Sequence, residues 1–323
     1  MRLSKEQMEA LNDYRGSTPK PSDFEAFWQE RIREADNTEL HWEIRPSKIP
    51  DFPRTEYHEL WFEGVHGEKM FAEYVRPVAD QPVPLVLQFH GYPGRCRSFL
   101  EQSSFAGMGF ALIAMDCPGQ GGRSTDTGKY QGTTVSGHLI AGLDGPAKDM
   151  YYVRLYQNIR LLGRIVRRLP GIDLNRVYVN GASQGGGLGL VCCALNPDLI
   201  SKASILYPFL SDFQKVWELG ADEIAYEGLR YYTRWFDATG ERTNEVFTKL
   251  GYVDVVSFAS RVRCEVLFGT GLSDNICPPQ TQMAVWNQLS CPKRHIFFPD
   301  FGHEEIQEFD DLLLNYYFEE NTK

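Results

Sequence analysis

The stretch that most constrains the fold is Val177-Tyr178-Val179-Asn180-Gly181-Ala182-Ser183-Gln184-Gly185-Gly186-Gly187. It begins as an alternating β-branched run, bends through Gly181 to Gly185, and continues into an apolar segment of helical character. Gly-x-Ser-x-Gly between a strand and a helix is the pattern of a nucleophile elbow, a corner so sharp that the serine is strained and its side chain stands clear. Gly181 and Gly185 flank the corner because a Cβ at either position would collide with the neighbouring backbone.

The surrounding chain supports a strand–helix alternation. From Pro84 the pattern is strand, loop, helix, repeated. Leu85-Val86-Leu87-Gln88-Phe89 is a continuous apolar run, as suits a parallel strand buried on both faces. His90-Gly91-Tyr92-Pro93-Gly94 follows it, then a short helical stretch around 98–106 and a strand over 111–115. The loop Asp116-Cys117-Pro118-Gly119-Gln120-Gly121-Gly122-Arg123-Ser124 opens a long Gly- and Thr-rich connection reaching to about Gly145, a length that points to function or an interface. Residues 148–169 form an amphipathic helix whose stripe runs through Tyr152, Leu155, Tyr156, Ile159, Leu162 and Val166. Arg160, Arg164, Arg167 and Arg168 lie mostly off the stripe and read as a solvated or interface face. After the elbow come a strand over 202–207 and, at 211–250, an aromatic, acidic, helical segment (Trp217, Tyr226, Tyr231, Tyr232, Trp235, Phe236) that reads as an inserted cap roofing the site. The alternation resumes with a strand over 264–270, a helix over 278–289, a strand over 295–299 and a last helix from Glu304. Ahead of all this, residues 1–83 hold a polar helix candidate, a helix from Phe24 with Phe27, Trp28 and Ile32 on one face, and two strands at 56–62 and 69–76. Their joining turn carries His66, which reads as a surface residue. The whole implies one α/β domain, residues 1–323, with a mostly parallel sheet covered by helices on both sides.

Bulk properties narrow the function. A formal charge of −10 argues against nucleic acid or an anionic membrane as partner. No apolar run approaches the ~20 residues of a membrane span, and the opening Met-Arg-Leu-Ser-Lys-Glu-Gln is too polar for a signal peptide. Seven cysteines, an odd number without metal-ligand spacing, suggest reduced thiols in a cytoplasmic protein. The vicinal Cys192-Cys193 pair falls in the helix after Ser183 and is expected to pack there.

A serine hydroxyl needs a base to take its proton. His303, in Phe301-Gly302-His303-Glu304 between the last strand and the last helix, is the candidate. His295 competes, but it starts an apolar strand and lacks a glycine hinge. The imidazole needs an acceptor that sets its tautomer, and Asp274 stands on a loop just past a strand, where open α/β sheets build their sites. Asp254 precedes its strand instead of following it, and Asp300 is too near His303 to reach round. The order Ser183, Asp274, His303 is that of α/β-hydrolases. An oxyanion needs donors: the backbone N–H of Gln184 beside the nucleophile, and that of Tyr92 on the loop after the first parallel strand, with His90 packing beneath. No metal is expected, because His303-Glu304 does not continue into a His-Glu-x-x-His pattern. The glycines at 119–122 and 185–187 match no phosphate or dinucleotide motif, so no cofactor is expected either.

Taken together, His90-Gly91-Tyr92, Gly119-Gln120-Gly121, Gly181-Ala182-Ser183-Gln184-Gly185, the Asp274 loop and Phe301-Gly302-His303-Glu304 resemble the acetyl xylan esterase / cephalosporin C deacetylase group, carbohydrate esterase family seven. Pro21-Ser22-Asp23-Phe24-Glu25-Ala26-Phe27-Trp28 and Asp149 to Tyr156 are similar to that family as well, so the likeness covers nearly the whole chain. The resemblance implies an α/β-hydrolase fold, a Ser183–Asp274–His303 triad and an oxyanion hole from Tyr92 and Gln184. It also implies removal of acetyl groups from small saccharides and cephalosporins, and a ring-like homohexamer. One position departs: the family has Arg-Gly-Gln where this chain has Pro118-Gly119-Gln120, with Arg123 as the candidate replacement for an arginine that orders neighbouring loops. Two rival functions remain open at this point. They are a prolyl-oligopeptidase-type peptidase and a scaffold that has kept the fold and lost the chemistry.

Overall fold

The structure, a computed structural model, describes residues 5–129, 137–222 and 224–319. Part of the long connection after Ser124 and the first residues of the chain lie outside that range. In chain order the elements are α1 (Lys5–Asp13), α2 (Phe24–Asn37), β1 (Trp42–Pro46), β2 (Thr55–Glu63), β3 (Lys69–Pro77), β4 (Val83–Phe89), α3 (Phe99–Gly107) and β5 (Ala111–Met115). There follow α4 (Tyr151–Val166), β6 (Ile172–Ala182), α5 (Gln184–Leu195), β7 (Lys202–Leu206), α6 (Phe213–Glu218), α7 (Glu227–Trp235) and α8 (Thr243–Leu250). The chain closes with α9 (Val255–Phe258), β8 (Glu265–Gly271), α10 (Pro279–Gln288), β9 (Lys293–Phe298) and α11 (Gln307–Phe318).

The strands form one nine-stranded sheet in the order β1-β2-β3-β5-β4-β6-β7-β8-β9. From β5 through β9 all neighbours are parallel, whereas β1, β2 and β3 add an antiparallel flank. β5 and β7 are buried at every residue, as strands covered on both faces must be. Each large side chain so buried contributes ~1.5–3 kcal/mol. Lys202 is the charged exception: its ammonium donates to the Tyr316 and Glu319 carbonyls at 2.8 and 2.7 Å, a cation at the C-terminus of α11.

Several expectations shift in detail. β1 was not expected; it is short and mostly exposed, so it carries little alternation to read. The amphipathic helix is α4, preceded by a 3₁₀ turn at Ala147–Asp149. The last helix starts at Gln307, not at Glu304, because the intervening residues form the loop carrying His303. The arginines of α4 divide: Arg160 pairs with Asp36 at 2.8 Å and Arg164 donates to the Thr38 carbonyl at 2.8 Å, so they tie α2 to α4, while Arg167 and Arg168 face solvent. Phe24 and Trp28 are fully buried, and the Trp28 indole donates to the Tyr252 carbonyl at 2.9 Å. The stretch between β7 and β8 is built of helices α6 to α9, with Tyr226 and Tyr232 buried and Trp217, Tyr231, Trp235 and Phe236 exposed. No helix among the described residues is long and apolar enough to cross a membrane.

Candidate active site

At the end of β6, Ser183 adopts φ 57° and ψ −125°, a conformation that costs an L-residue of order 1–3 kcal/mol and survives only where neighbours over-determine it. Here they do. The Ser183 N–H donates to the Leu206 carbonyl at 3.1 Å, and its carbonyl accepts from Gly187 and Phe209 N–H at 3.1 and 2.9 Å. The glycine requirement is steric in the expected way: a Cβ on Gly181 would lie 2.1 Å from the Gly185 carbonyl oxygen, and one on Gly185 2.0 Å from that of Phe89.

The structure brings the three expected side chains together. His303 Nε2 lies 2.9 Å from Ser183 Oγ, and His303 Nδ1 lies 2.8 Å from Asp274 Oδ2. The Asp274 carboxylate is buried in the turn between β8 and α10. Its Oδ1 accepts from Ile276 and Cys277 N–H at 2.9 and 2.8 Å, and its Oδ2 from Gln282 Nε2 at 3.2 Å. Such a carboxylate is fixed in place and can hold Nδ1 protonated, leaving Nε2 free to accept the serine proton.

The rival residues lie elsewhere. His295 sits within β9, hydrogen-bonded to Thr270 Oγ1 at 2.9 Å and packed on Trp286 and Phe297; burial holds its pKa down to about 3. Asp254 caps α9, accepting from Val256 N–H at 2.9 Å, and Asp300 is exposed. His66 is exposed as expected, with a 2.9 Å contact to Gln157. Cys192 and Cys193 are buried in α5.

Gln184 opens α5 directly after Ser183, and Tyr92 stands on the loop that follows β4; among the described residues neither backbone N–H donates to a backbone acceptor. His90 packs below them. Its Nε2 accepts from Cys117 N–H at 3.0 Å, so Nδ1 carries the proton toward the Gly91 carbonyl 2.8 Å away. Burial lowers its pKa and keeps the ring neutral in that tautomer.

A second layer of residues escaped sequence reasoning. Gln184 and Gln120 form a reciprocal amide pair, Gln184 Nε2 to Gln120 Oε1 at 3.0 Å and Gln120 Nε2 to Gln184 Oε1 at 2.9 Å. Tyr152 donates to Gln184 Oε1 at 2.9 Å, and Tyr151 to the Pro118 carbonyl at 2.7 Å. Tyr92 Oη lies 3.1 Å from His138 Nδ1, and His138 Nε2 is 3.2 Å from the Gly119 carbonyl. Gln120 was visible as part of the Gly119-Gln120-Gly121 motif but without a partner, and His138 stood in a connection without periodicity. At the departing position, Pro118 offers only a carbonyl. Arg123 instead clamps the loop to the antiparallel flank: it bonds Glu59 at 2.6 Å and lies over the Trp61 and Phe71 rings.

Among the described residues no cluster of His, Cys, Asp and Glu could hold a metal ion. The arrangement can perform nucleophilic attack by an activated serine with a shuttled proton, which is acyl-transfer chemistry.

The model of the family described as acetyl xylan esterase matches residues 1–320. Acetyl xylan esterase 1 from Thermoanaerobacterium sp. JW/SL YS485 superimposes with a TM-score of 0.94 at 37% identity, covering 98% of each chain. An acetyl xylan esterase from Paenibacillus sp. R4 does so with a TM-score of 0.90 at 27% identity, covering 96% of this chain and 98% of that one. Acetyl esterase Axe7A of Xylanibacter ruminicola is 28% identical over 301 residues; the match takes in 90% of this chain and 65% of that relative.

Proposed function

This chain belongs to the acetyl xylan esterase family, and from that premise we propose that it is a serine carboxylesterase removing acetyl groups from small acetylated saccharides. Xylo-oligosaccharides are the substrate class, with cephalosporin C-like acetyl esters as further substrates. The observation that carries the reading is the bridge made by His303, 2.9 Å from Ser183 Oγ on one side and 2.8 Å from Asp274 on the other, at a strained elbow.

In the proposed reaction, Ser183 Oγ attacks the acetyl carbonyl carbon while His303 Nε2 takes its proton. Asp274 stabilises the imidazolium without becoming protonated. The carbonyl oxygen, now negative, lies against the Tyr92 and Gln184 N–H groups. As the tetrahedral adduct collapses, the C–O bond to the sugar breaks, and His303 returns the proton to the leaving alkoxide. Water then attacks the acetyl-enzyme, with His303 again accepting a proton, and acetate leaves as Ser183 regains its hydrogen.

A small acyl group in this reading is supported by aromatics packed next to the Ser183 turn. Phe209 lies against Tyr92 on one side and against Tyr226 of the segment between β7 and β8 on the other. A longer acyl chain that finds no room forgoes the ~0.8 kcal/mol per methylene that burial would give.

Rates on p-nitrophenyl acetate, butyrate and octanoate, beside acetate release from acetylated xylo-oligosaccharides and polymeric acetylxylan, test the proposal. Acetate should be cleaved fastest, oligomers ahead of polymer, and Ser183→Ala should abolish both hydrolysis and fluorophosphonate labelling. Octanoate cleaved faster than acetate, or a labelled Ser183→Ala protein, would refute it.

A further inference from the structure

Immediately after β7 the backbone takes an unusual course. Tyr207, Leu210 and Asp212 have φ of 31°, 67° and 50°, three non-glycine residues in the left-handed region within one loop. For bulky side chains such values are genuine outliers. They persist when surrounding contacts over-determine them, and they concentrate at functional sites.

Those contacts reach each part of the site. The Phe209 N–H holds the Ser183 carbonyl at 2.9 Å, and the Tyr207 N–H donates to the Gly269 carbonyl at 3.0 Å, next to the strand end that leads to Asp274. The Phe209 ring lies 5.8 Å from the Tyr92 ring. At the far end the loop is tied down by Asp212. Its carboxylate accepts from Ser17 and Thr18 N–H, both at 2.9 Å, and from Tyr14 Oη, while its own N–H donates to Asp254 at 3.1 Å.

Tyr207 makes the contact with the base. Its ring centroid is 4.5 Å from that of His303, with the planes inclined by 47°. Its hydroxyl donates to the Glu304 carbonyl at 2.7 Å, pinning the residue after the histidine. The same side chain therefore lies against the imidazole and anchors the loop that carries it.

We infer that Tyr207 is a positioning residue for His303: its ring supports the imidazolium formed during acyl transfer, and its hydroxyl fixes the histidine loop in register with Ser183. This rests on the serine-esterase reading above and adds to it a residue outside the triad and the oxyanion donors. The physical content is twofold. An aromatic face within ~6 Å of a cation attracts it, so the ring favours protonated His303. A displacement of the base by even a fraction of an ångström degrades proton transfer, because the catalytic geometry must be held to within ~0.5 Å.

Other charges surround this contact. Asp274 faces the imidazole from the β8–α10 loop, Glu304 and Glu305 lie on the histidine's own loop, Asp310 is on α11, and Arg97 reaches in from before α3 to pair with Glu305 at 3.0 Å. Burial pushes the Tyr207 hydroxyl well above the ordinary phenol range. It stays neutral and a donor across any practical assay range, so replacing it leaves the count of ionised groups unchanged.

The test compares Tyr207→Phe and Tyr207→Leu with the wild type. Their kcat and KM on p-nitrophenyl acetate are followed from pH 5 to 9, with thermal melts to establish that each is folded. Tyr207→Phe keeps the ring and loses the anchor: kcat should fall several-fold at unchanged KM, with the acidic limb of kcat/KM in place. Tyr207→Leu loses both. Its kcat should fall at least tenfold, and the acidic limb should move to lower pH, because the ring that supported the imidazolium is gone. A purely structural role would lower the melting temperature and leave the limb where it is. A folded Tyr207→Leu protein with the wild-type limb and kcat would overturn the inference. Fluorophosphonate labelling separates this failure from that of the underlying reading. Labelled variants with unchanged profiles refute Tyr207 alone, whereas an unlabelled wild type refutes both.

Discussion

Replacing Gln120 with alanine addresses a pairing, Gln120 with Gln184, that the sequence did not reveal. The substitution removes both bonds of the reciprocal amide pair with Gln184 and the 3.1 Å contact to Tyr151 Oη. Gln184 keeps the Tyr152 hydroxyl on its oxygen, but its amide nitrogen retains only a 3.3 Å contact to the His90 carbonyl and a long one to Cys117 Sγ. One buried N–H then loses its partner, at a cost of ~1–3 kcal/mol. The lower half of that range applies, since the half-buried space left by Gln120 can admit water. For 323 residues, an unfolding entropy of ~2.1 cal/mol/K per residue makes ~1–2 kcal/mol equivalent to a fall in Tm of roughly 1.5–3 °C. The kinetic effect should be larger. Complete loss of one oxyanion donor costs ~10²–10³ in kcat. A Gln184 backbone that is loosened but still present should lose roughly tenfold, with KM nearly unchanged. Steady-state kinetics on p-nitrophenyl acetate and a thermal melt supply both numbers. A Gln120→Ala enzyme whose melt falls as expected but whose kcat stays within twofold of wild type would refute the idea that the amide pair holds the proposed oxyanion donor, Gln184, in place.

Three further outcomes are expected. His303→Ala should reduce kcat/KM by about 10⁴–10⁶ and Asp274→Asn by about 10⁴, while His295→Ala retains activity; the reverse pattern in the two histidines would move the base to β9. Glu73, whose Oε2 is buried without a partner, has its carboxyl pushed up to about 7 by burial. The folded protein therefore holds a proton that the unfolded chain releases near pH 4.3, and stability should fall as pH rises from ~4 to ~7 and then level off. Glu73→Gln should remove that slope and gain of order 1–2 kcal/mol at pH 8, after allowance for screening at a partly exposed site, as read by denaturant titration at pH 5 and 8; an unchanged slope would contradict it. Gly185→Ala should cost at least the upper end of the ~1–3 kcal/mol range for overpacking, because its Cβ would meet the Phe89 carbonyl oxygen at 2.0 Å, and a variant with wild-type stability would mean the elbow can relax.

The sequence alone determined the elements whose physics is local. The apolar runs of β4 and β5, the stripe of α4 and the glycines around Ser183 each answer to periodicity or to the space a Cβ would need, and such constraints are written in adjacent residues. The grouping of Ser183, Asp274 and His303 was legible for a related reason: they stand beyond strand ends, and their order along the chain follows the order of the strands. What only the tertiary structure decided is what depends on distant segments meeting. Gln120 meets Gln184 across 64 positions and Tyr92 meets His138 across 46, so neither pair leaves a periodic trace in the chain. The positive φ of Tyr207 is likewise invisible in Leu206-Tyr207-Pro208-Phe209, since nothing in those residue types asks for it. It is imposed by hydrogen bonds to Ser183 and Gly269 and by the anchoring of Asp212 to residues 14–18. A strained backbone is stable only when such non-local contacts outweigh its cost, and those contacts exist only once the sheet has formed.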